Sequence, residues 1–163
     1  MFKPTVNSRM LRQGLALACV IAGSIAATST AFAGECPADK FKPNARAMVD
    51  FKPVGVTDVT LASIDLEKQP AHLKDRELRF RKLTIEPGGI VPWHSHDDRP
   101  ALIFVQQGEI VEYASNCADP IVHKAGEIRP EVFGTSHWWK NLGSQTVILY
   151  VGDVRKDPHD HNM

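Results

Sequence analysis

The sequence has no excess of either charge, since 19 basic and 19 acidic side chains are spread over its 163 residues. Proteins that bind nucleic acid usually carry a basic excess, so the composition gives no support to that class. The sequence also lacks internal repeats, low-complexity tracts and long stretches of helical periodicity. Only three cysteines and 43% hydrophobic residues are present, which excludes a disulfide-dense miniprotein and a wholly disordered chain.

The N-terminal apolar run is too short to span a membrane. It extends from Leu15 to Ala27 and has 13 residues, whereas a spanning helix needs about 20. Three basic residues and no acidic one accompany it, and an A-x-A-like site ends at Ala33. This order predicts a signal peptide over residues 1–33, cleaved near Ala33, and a periplasmic or secreted protein without a stable membrane anchor. The alternatives are an uncleaved anchor and a lipoprotein, which fits poorly because Cys19 lies inside the apolar run.

Export changes the expected chemistry of the cysteines. Removal of the signal peptide leaves Cys36 and Cys117, and paired cysteines are typical of exported proteins. We therefore predict a disulfide that ties the start of the mature chain to the middle of the domain. Two free thiols, or a bridge between two molecules, are the alternatives that spacing alone does not exclude.

Turn residues are frequent, with eleven glycines and eleven prolines. Short β-branched or alternating segments between these turns predict an all-β sandwich or barrel. Residues 34–77 are predicted to form an N-terminal arm and the first strands, residues 78–152 the barrel core, and residues 153–163 a flexible tail. Within the core we expect a turn over residues 87–89 and a β-hairpin over residues 101–113.

The pair His94-x-His96 is the clearest chemical feature of the sequence. Residues two apart on a strand point to the same face, so the pair can supply two adjacent imidazole ligands to one metal ion. His137 lies 41 residues further on, near the start of another predicted strand. The alternative is that these histidines line a polar pocket or pack in the core without a metal. His159 and His161 are interpreted as part of the flexible tail.

Two motifs around these histidines resemble those of the cupins. The first cupin motif is G-x5-H-x-H-x(3,4)-E-x6-G, and its positions are matched here by Gly88, His94, His96 and Gly108. The second is G-x5-P-x-G-x2-H-x3-N, and its positions are matched by Gly126, Gly134, His137 and Asn141. The 17 residues between Gly108 and Gly126 match the short inter-motif loop of the family.

The resemblance implies a double-stranded β-helix, or jelly-roll barrel, with a metal ion inside. Ala101 stands where the first motif has its glutamate, which leaves a three-histidine site of His94, His96 and His137. By resemblance to cupin dioxygenases Fe(II) is the leading metal, while Mn, Ni, Cu and Zn also suit imidazole ligands. Many cupins of this size pair through barrel strands, so a homodimer is a further expectation.

Three histidine ligands leave coordination positions open, which is typical of catalytic metal sites. The resemblance therefore favours a metal-dependent oxidoreductase of the dioxygenase kind that acts on a small molecule. A non-catalytic binding cupin and a metal-assisted isomerase or lyase are the alternatives. Without the glutamate the metal keeps more positive charge, which favours an anionic ligand. Arg99 is a candidate anchor for that anion, whereas Asp97 and Asp98 are interpreted as solvated turn residues rather than substitute metal ligands.

Overall fold

A computed structural model describes residues 35–156 of the chain. The predicted signal peptide lies outside the described residues, and so do residues 157–163, which hold His159 and His161. All regular secondary structure in the described range is β-strand, which confirms the predicted all-β class. The same range contains no helix that is long and apolar enough to cross a membrane.

Eight strands in the described range form one curled antiparallel sheet. In chain order they are β1 (Val54–Asp65), β2 (Glu77–Ser95), β3 (Ala101–Gln107), β4 (Glu109–Ala114), β5 (Ile121–Lys124), β6 (Ile128–Glu131), β7 (Ser136–Lys140) and β8 (Val147–Arg155). The order across the sheet is β5-β4-β7-β2-β8-β3-β6, and β1 pairs with β2 outside this path.

Strand β2 joins the two halves of the barrel because it belongs to both. Its first half, up to Ile85, pairs with β1 and β8, whereas the segment from Ile90 onward pairs with β7. Residues 87–89, predicted as a turn, lie inside this continuous strand at the point where it changes partner. Glycine is required there at Gly89, since a Cβ would come within 2.8 Å of the carbonyl oxygen of Glu86.

The barrel core follows from strict alternation along the strands. In β8, Val147, Leu149 and Val151 are buried, while Ile148 and Tyr150 between them are partly exposed. The other side chains of the same buried cluster are Leu83, Ile85, Val91, Ala101, Ile103, Val105, Ile110 and Trp139. Because these residues come from both halves of the sheet, their burial drives the sheet to curl and close.

The hairpin predicted over residues 101–113 is wrong. Strand β3 pairs with β8 and β6, whereas β4 pairs with β7 and β5, so the two consecutive strands lie in different halves of the barrel. Gly108, with a φ of 82°, allows the chain to pass between the halves. Strand β8 continues to Arg155, so residues 153–155, which were expected to belong to the flexible tail, are part of the barrel. Asp153 and Arg155 are buried.

The arm that precedes β1 is fixed to the barrel by covalent and packing contacts. The disulfide predicted between Cys36 and Cys117 is present. Phe41 forms an isolated β-bridge with Cys117, and the ring of Phe51 packs edge-on against Trp138 with centroids 4.7 Å apart. The arm therefore covers the outer side of the half of the barrel that contains β7.

Candidate metal centre

Strands β2 and β7 bring the three motif histidines together inside the barrel. His94 and His137 are register partners on these two antiparallel strands. His96 follows one residue after the end of β2, where its backbone amide donates to the carbonyl oxygen of Thr135 at 2.9 Å. All three side chains are buried. The His-x-His spacing thus places both histidines of the pair on the inner face, as period-two alternation predicts.

The Nε2 atoms of the three imidazoles converge on one point. Nε2 of His137 lies 3.1 Å from Nε2 of His94 and 3.0 Å from Nε2 of His96. Nitrogens that share one ion at about 2.1 Å each, at right angles, lie about 3.0 Å apart. The observed separations therefore match three ligands on one face of a divalent transition metal.

Each ring is oriented by a partner on its other nitrogen. Nδ1 of His94 donates to the carbonyl oxygen of Pro92 at 2.9 Å, and Nδ1 of His96 donates to the carbonyl oxygen of Arg99 at 2.8 Å. Nδ1 of His137 donates to a carboxylate oxygen of Glu112 at 2.6 Å. When the ring proton is on Nδ1, each Nε2 presents an acceptor lone pair to the other two rings, which is unfavourable without a donor between them. A cation bound between the three nitrogens would accept all three lone pairs.

Burial keeps the paired histidines of the motif uncharged. It lowers the pKa of His94 well below its usual value, and the nearby charges of His137 and His96 act in the same direction. Burial and the neighbouring His137 lower the pKa of His96 to about 3. Neutral imidazoles are the form that binds a metal, so near neutral pH these two ligands need no deprotonation before they coordinate. The donor set and its spacing fit a divalent transition metal.

A buried acidic cluster lies behind His137, on the side away from the other two histidines. The carboxylate of Glu112 on β4 accepts from Nδ1 of His137 and from Nε2 of His123 at 2.8 Å. Nε of Arg129 lies 3.4 Å from Glu112 and 3.6 Å from Glu131. Although burial acts to raise it, the pKa of Glu112 is lowered by its electrostatic interaction with His137, by the two histidine hydrogen bonds and by Arg129. Glu112 therefore stays ionised and orients His137.

Glu131 lies in register with the position of the missing motif glutamate. It is the strand partner of Ala101 across β3 and β6, and both side chains are buried. Burial and the charge of Glu112 raise the pKa of Glu131 well above its usual value. Its carboxyl group lies 3.6 Å from Nδ1 of His137, which is the side facing away from the Nε2 cluster. Glu112, Glu131 and His137 also lie close enough to form a second set of ligand atoms, but Arg129 already supplies positive charge there.

A second buried charge cluster, on the other side of the motif histidines, includes the predicted Arg99. Arg79 donates to both carboxylate oxygens of Asp153, at 3.0 and 2.6 Å. Arg81 pairs with Asp58 of β1, and its Nε lies 3.7 Å from Asp153. Nε of Arg99 lies 4.0 Å from the same carboxylate. The backbone carbonyl of Arg99 also fixes His96, so this residue supports the site through its main chain.

A small cavity of about 20 Å³ lies against the histidines, and it is mainly apolar. Its lining comprises Arg81, Leu83, Val91, His94, His96, Ile103, Trp139, Leu149 and Val151. Arg81, which the sequence analysis did not single out, is the cationic side chain of this lining. A space of this size holds about one water-sized molecule.

The two aspartates after the His-x-His pair lie outside the buried site. Asp97 is exposed and accepts from the backbone amide of Gly134 at 2.9 Å. Asp98 is exposed and pairs with Arg76 at 2.5 Å. Both are exposed turn residues, as expected from the sequence, and the carboxylates within 4 Å of His137 come from β4 and β6 instead.

Comparison with known proteins gives a fold likeness only. No protein-family model matches the sequence, and no curated protein matches it. A predicted oxalate decarboxylase from Thermotoga maritima is 18% identical with a TM-score of 0.50, over 74% of this chain and 98% of that one. An oxalate oxidase in complex with glycolate is 22% identical with a TM-score of 0.50, over 69% of this chain and 57% of that one. The Cnp3 cupin domain of Schizosaccharomyces pombe is 15% identical with a TM-score of 0.48, over 68% of each chain.

The curled antiparallel sheet is a double-stranded β-helix whose interior carries three convergent histidines. This architecture is the cupin fold that the two sequence motifs implied, and the two structures with a TM-score of 0.50 share it. The chain is thus a cupin by fold, and its interior holds a candidate site for a divalent metal ion.

Proposed function

We propose that this protein is an exported metal-dependent oxidoreductase, of the dioxygenase kind, that acts on a small anionic molecule. The observation that carries the proposal is the convergence of three Nε2 atoms, each ring having its Nδ1 engaged elsewhere. Three neutral ligands leave the ion its full charge and open coordination positions, which is the arrangement of a catalytic metal. Fe(II) is the proposed metal, with Mn, Ni, Cu and Zn as alternatives that imidazole ligands also accept.

The residues around the site have separable tasks in this proposal. His94, His96 and His137 hold the ion, which when bound supplies Lewis acidity and, if it is iron, one-electron chemistry. Glu112 orients His137 and compensates part of the positive charge. The apolar lining, including Ile103, excludes bulk water and strengthens electrostatic contacts inside the barrel.

Export is supported by the order of charges, apolar run and cleavage site at the N-terminus and by the disulfide. Disulfides persist in oxidising compartments, such as the periplasm or the extracellular space. The bond between Cys36 and Cys117 is therefore consistent with a mature protein that acts outside the cytoplasm.

Metal content and oxygen consumption test the proposal together. Protein purified from its native compartment should contain about one divalent transition metal per chain, and His137→Ala should lose it. The iron-loaded protein should consume oxygen with one member of a panel of small carboxylates, thiols and diketones. A chain that keeps its metal content after His137→Ala, or that turns over the panel equally without oxygen, contradicts the oxidoreductase proposal.

The size of the cavity favours one alternative, a non-catalytic metal-binding cupin. About 20 Å³ leaves no room for a chelating organic substrate beside the histidines unless the lining moves. Such a protein would bind the metal with the same three residues and consume no oxygen with any member of the panel.

A further inference from the structure

A cleft of about 450 Å³ lies on the outer side of the barrel, between the arm and the half of the sheet that contains β7. The arm contributes Arg46 and Met48 to its lining, and the sheet side contributes Trp93, Asp97 and Ser136. Its volume is within the range of sites that bind small organic molecules. None of the three motif histidines lines it, so the cleft is separate from the metal centre.

The guanidinium of Arg46 is held in place at the arm side of the cleft. Its Nη2 donates to the carbonyl oxygen of Ala118 at 2.8 Å, and its carbon lies 5.3 Å from the centre of the Tyr113 ring. The backbone amide of Arg46 donates to the carbonyl oxygen of Ser115, another residue of the lining, at 3.3 Å. Within residues 35–156, however, Arg46 forms no ion pair.

The sheet side supplies a carboxylate that is fixed in a similar way. Oδ1 of Asp97 accepts from the backbone amide of Gly134 at 2.9 Å, and the amide of Asp97 donates to Oγ of Ser95 at 3.1 Å. In the described part of the chain Asp97 also forms no ion pair, whereas the adjacent Asp98 pairs with Arg76. Ordering a charged side chain costs conformational entropy. Two opposite charges that are ordered but left unpaired are therefore prepared for a ligand that contacts both.

An aromatic ring adds an apolar surface to this polar lining. Trp93 is half-buried and contacts no other aromatic ring of residues 35–156. The other two tryptophans differ, since Trp138 stacks on Tyr113 and Trp139 stacks on His123. The cleft thus combines an unstacked indole with hydrogen-bond donors and acceptors, and the charges of its lining cancel.

We infer that this cleft binds a neutral pyranose sugar, either free or at the end of a glycan. A pyranose has an apolar face of C–H groups that packs on an indole ring, and Trp93 supplies that ring. Sugar hydroxyls both donate and accept hydrogen bonds, so Asp97 accepts from them and Arg46 donates to them. The balanced charge of the lining disfavours sugar acids and sugar phosphates. Because no metal ligand takes part, this inference does not rest on the proposed function.

Saturation-transfer NMR on the Zn(II)-loaded protein tests the inference with glucose, galactose, mannose and N-acetylglucosamine as probes. At least one of them should bind, and the protons of its apolar ring face should receive the most saturation. Trp93→Ala should weaken that binding about tenfold or more, since it removes the stacking surface. Asp97→Asn should weaken it about fivefold, because asparagine can still accept from the amide of Gly134 but lacks the charge.

Each variant has a matched control outside the lining. Phe133→Ala removes an exposed aromatic ring, and Asp98→Asn removes the exposed carboxylate next to Asp97. Both controls should keep sugar affinity within about twofold of the parent protein. Methyl glycosides of the same sugars distinguish the two sources of the ligand, because the site for a glycan end must leave room for a substituent on C1.

The outcomes also separate the cleft from the metal centre. Chelator-treated protein should bind the sugar as tightly as the Zn(II)-loaded protein, and a loss of affinity would place the sugar at the histidines and overturn the inference. The inference also fails if none of the four sugars binds, or if Trp93→Ala and Asp97→Asn bind like their controls. Displacement of the bound sugar by free leucine would show that the two charges select a zwitterion instead, which likewise contradicts it.

Discussion

At the scale of single residues, the site depends on side chains that stay uncharged at close quarters. Nε2 of His137 has two imidazole nitrogens at 3.0 and 3.1 Å, and a proton on each of the three nitrogens would create like charges with no water between them. For His94 and His96 the fold avoids this by removing the rings from water, an effect that outweighs the opposite effect of the backbone acceptors at their Nδ1 atoms. Because of this arrangement, the free energy of unfolding depends on pH.

The metal-free protein should lose stability as the pH falls from about 6.5 toward 5. The pKa of His96 is about 3 in the folded state against 6.5 for an ordinary histidine, so between these values the unfolded chain binds more protons. The lowered pKa of His94 adds an effect of the same sign. The raised pKa of Glu131 acts in the opposite direction, because the folded protein keeps a proton there that the unfolded chain loses. Two histidines against one glutamate leave a net loss of stability as the pH falls, which is a positive slope of the free energy of unfolding against pH.

Urea unfolding of chelator-treated protein at several pH values measures this slope. His96→Gln should reduce the slope, because one of the two groups that bind protons on unfolding is gone. His72→Gln, on the exposed loop after β1, serves as the control and should leave it unchanged. A free energy of unfolding that is constant over this pH range would contradict the prediction.

Glu112 should determine how tightly His137 holds a metal. Its carboxylate accepts the Nδ1 proton of His137 at 2.6 Å, and such partners typically contribute about 10–100-fold to metal affinity. We therefore expect Glu112→Gln to weaken metal binding by about that factor in a chelator competition assay. Glu109→Gln, an exposed glutamate on the same strand, is the control. Equal metal affinity of the two variants would show that Glu112 does not act through His137.

The sequence predicts these residues unequally. His94, His96 and His137 can be identified from the sequence, because the spacing of the motifs fixes their positions on the strands. Glu112 could also have been identified, because it lies two residues from both Ile110 and Ala114 and therefore shares their inner face of β4. Arg81 could not, because a charged residue in a mixed strand is usually exposed, and only the contact with Asp58 from another strand explains its burial.

At the scale of elements, β2 is the strand on which the site depends. It carries His94 near its end, and it changes partner from β8 to β7 over residues 86–89. A side chain at Gly89 would come within 2.8 Å of the Cγ2 of Ile85 and 3.0 Å of the carbonyl oxygen of Val54. The close approach of β1 to this bend therefore requires the absence of a Cβ.

Gly89→Ala should lower the free energy of unfolding by about 1–3 kcal/mol, as overpacking does elsewhere. The expected mechanism is displacement of β1 or of the Ile85 side chain at the bend. Gly152→Ala is the matched control in β8, where an added Cβ would meet only Phe80 at 3.9 Å. The control should change stability by about 0.5 kcal/mol or less. Equal effects of the two substitutions in urea unfolding would show that the bend tolerates a side chain.

Strand positions were more predictable than strand pairing. Segments such as β3, β4 and β5 begin where apolar and polar residues begin to alternate, so these strands can be predicted from the local sequence. The expected hairpin over residues 101–113 failed because pairing of β3 with β8 joins residues far apart in the chain. The turn residue Gly108 is compatible with a hairpin and with a crossing between sheets, and only closure of the barrel decides between them.

At the scale of the whole molecule, the arm and the barrel act as one unit through a few contacts on the outer side of β4 and β7. The ring of Tyr113 stacks on Trp138 with centroids 4.0 Å apart, and the guanidinium of Arg46 lies 5.3 Å from the Tyr113 ring. Trp138 is next to His137 and points to the opposite face of β7. The arm therefore packs against the back of a strand whose front carries a metal ligand.

The disulfide should stabilise the fold without being needed for metal binding. It joins residues 81 positions apart, and bonds that close long loops typically contribute about 2–4 kcal/mol, by a mechanism that is model-dependent. The Cys36→Ser/Cys117→Ser variant should therefore have a free energy of unfolding lower by about 2–4 kcal/mol. Its Co(II) affinity should match that of the parent protein, because the three histidines belong to the segments around β2 and β7, whereas the cysteines lie in the arm and in the loop after β4.

Both halves of this last prediction can fail separately. Urea unfolding under oxidising and reducing conditions measures the stabilisation, and the double serine variant should not respond to the reductant. Intact mass after alkylation of the denatured, unreduced protein reports the bond, and two alkylated thiols would contradict its presence in solution. A variant that unfolds as expected but also loses Co(II) would mean that the arm, through Trp138, holds β7 in the position that His137 requires. In that case reduction of the disulfide would release the metal, and cobalt absorption followed during reduction would detect the release directly.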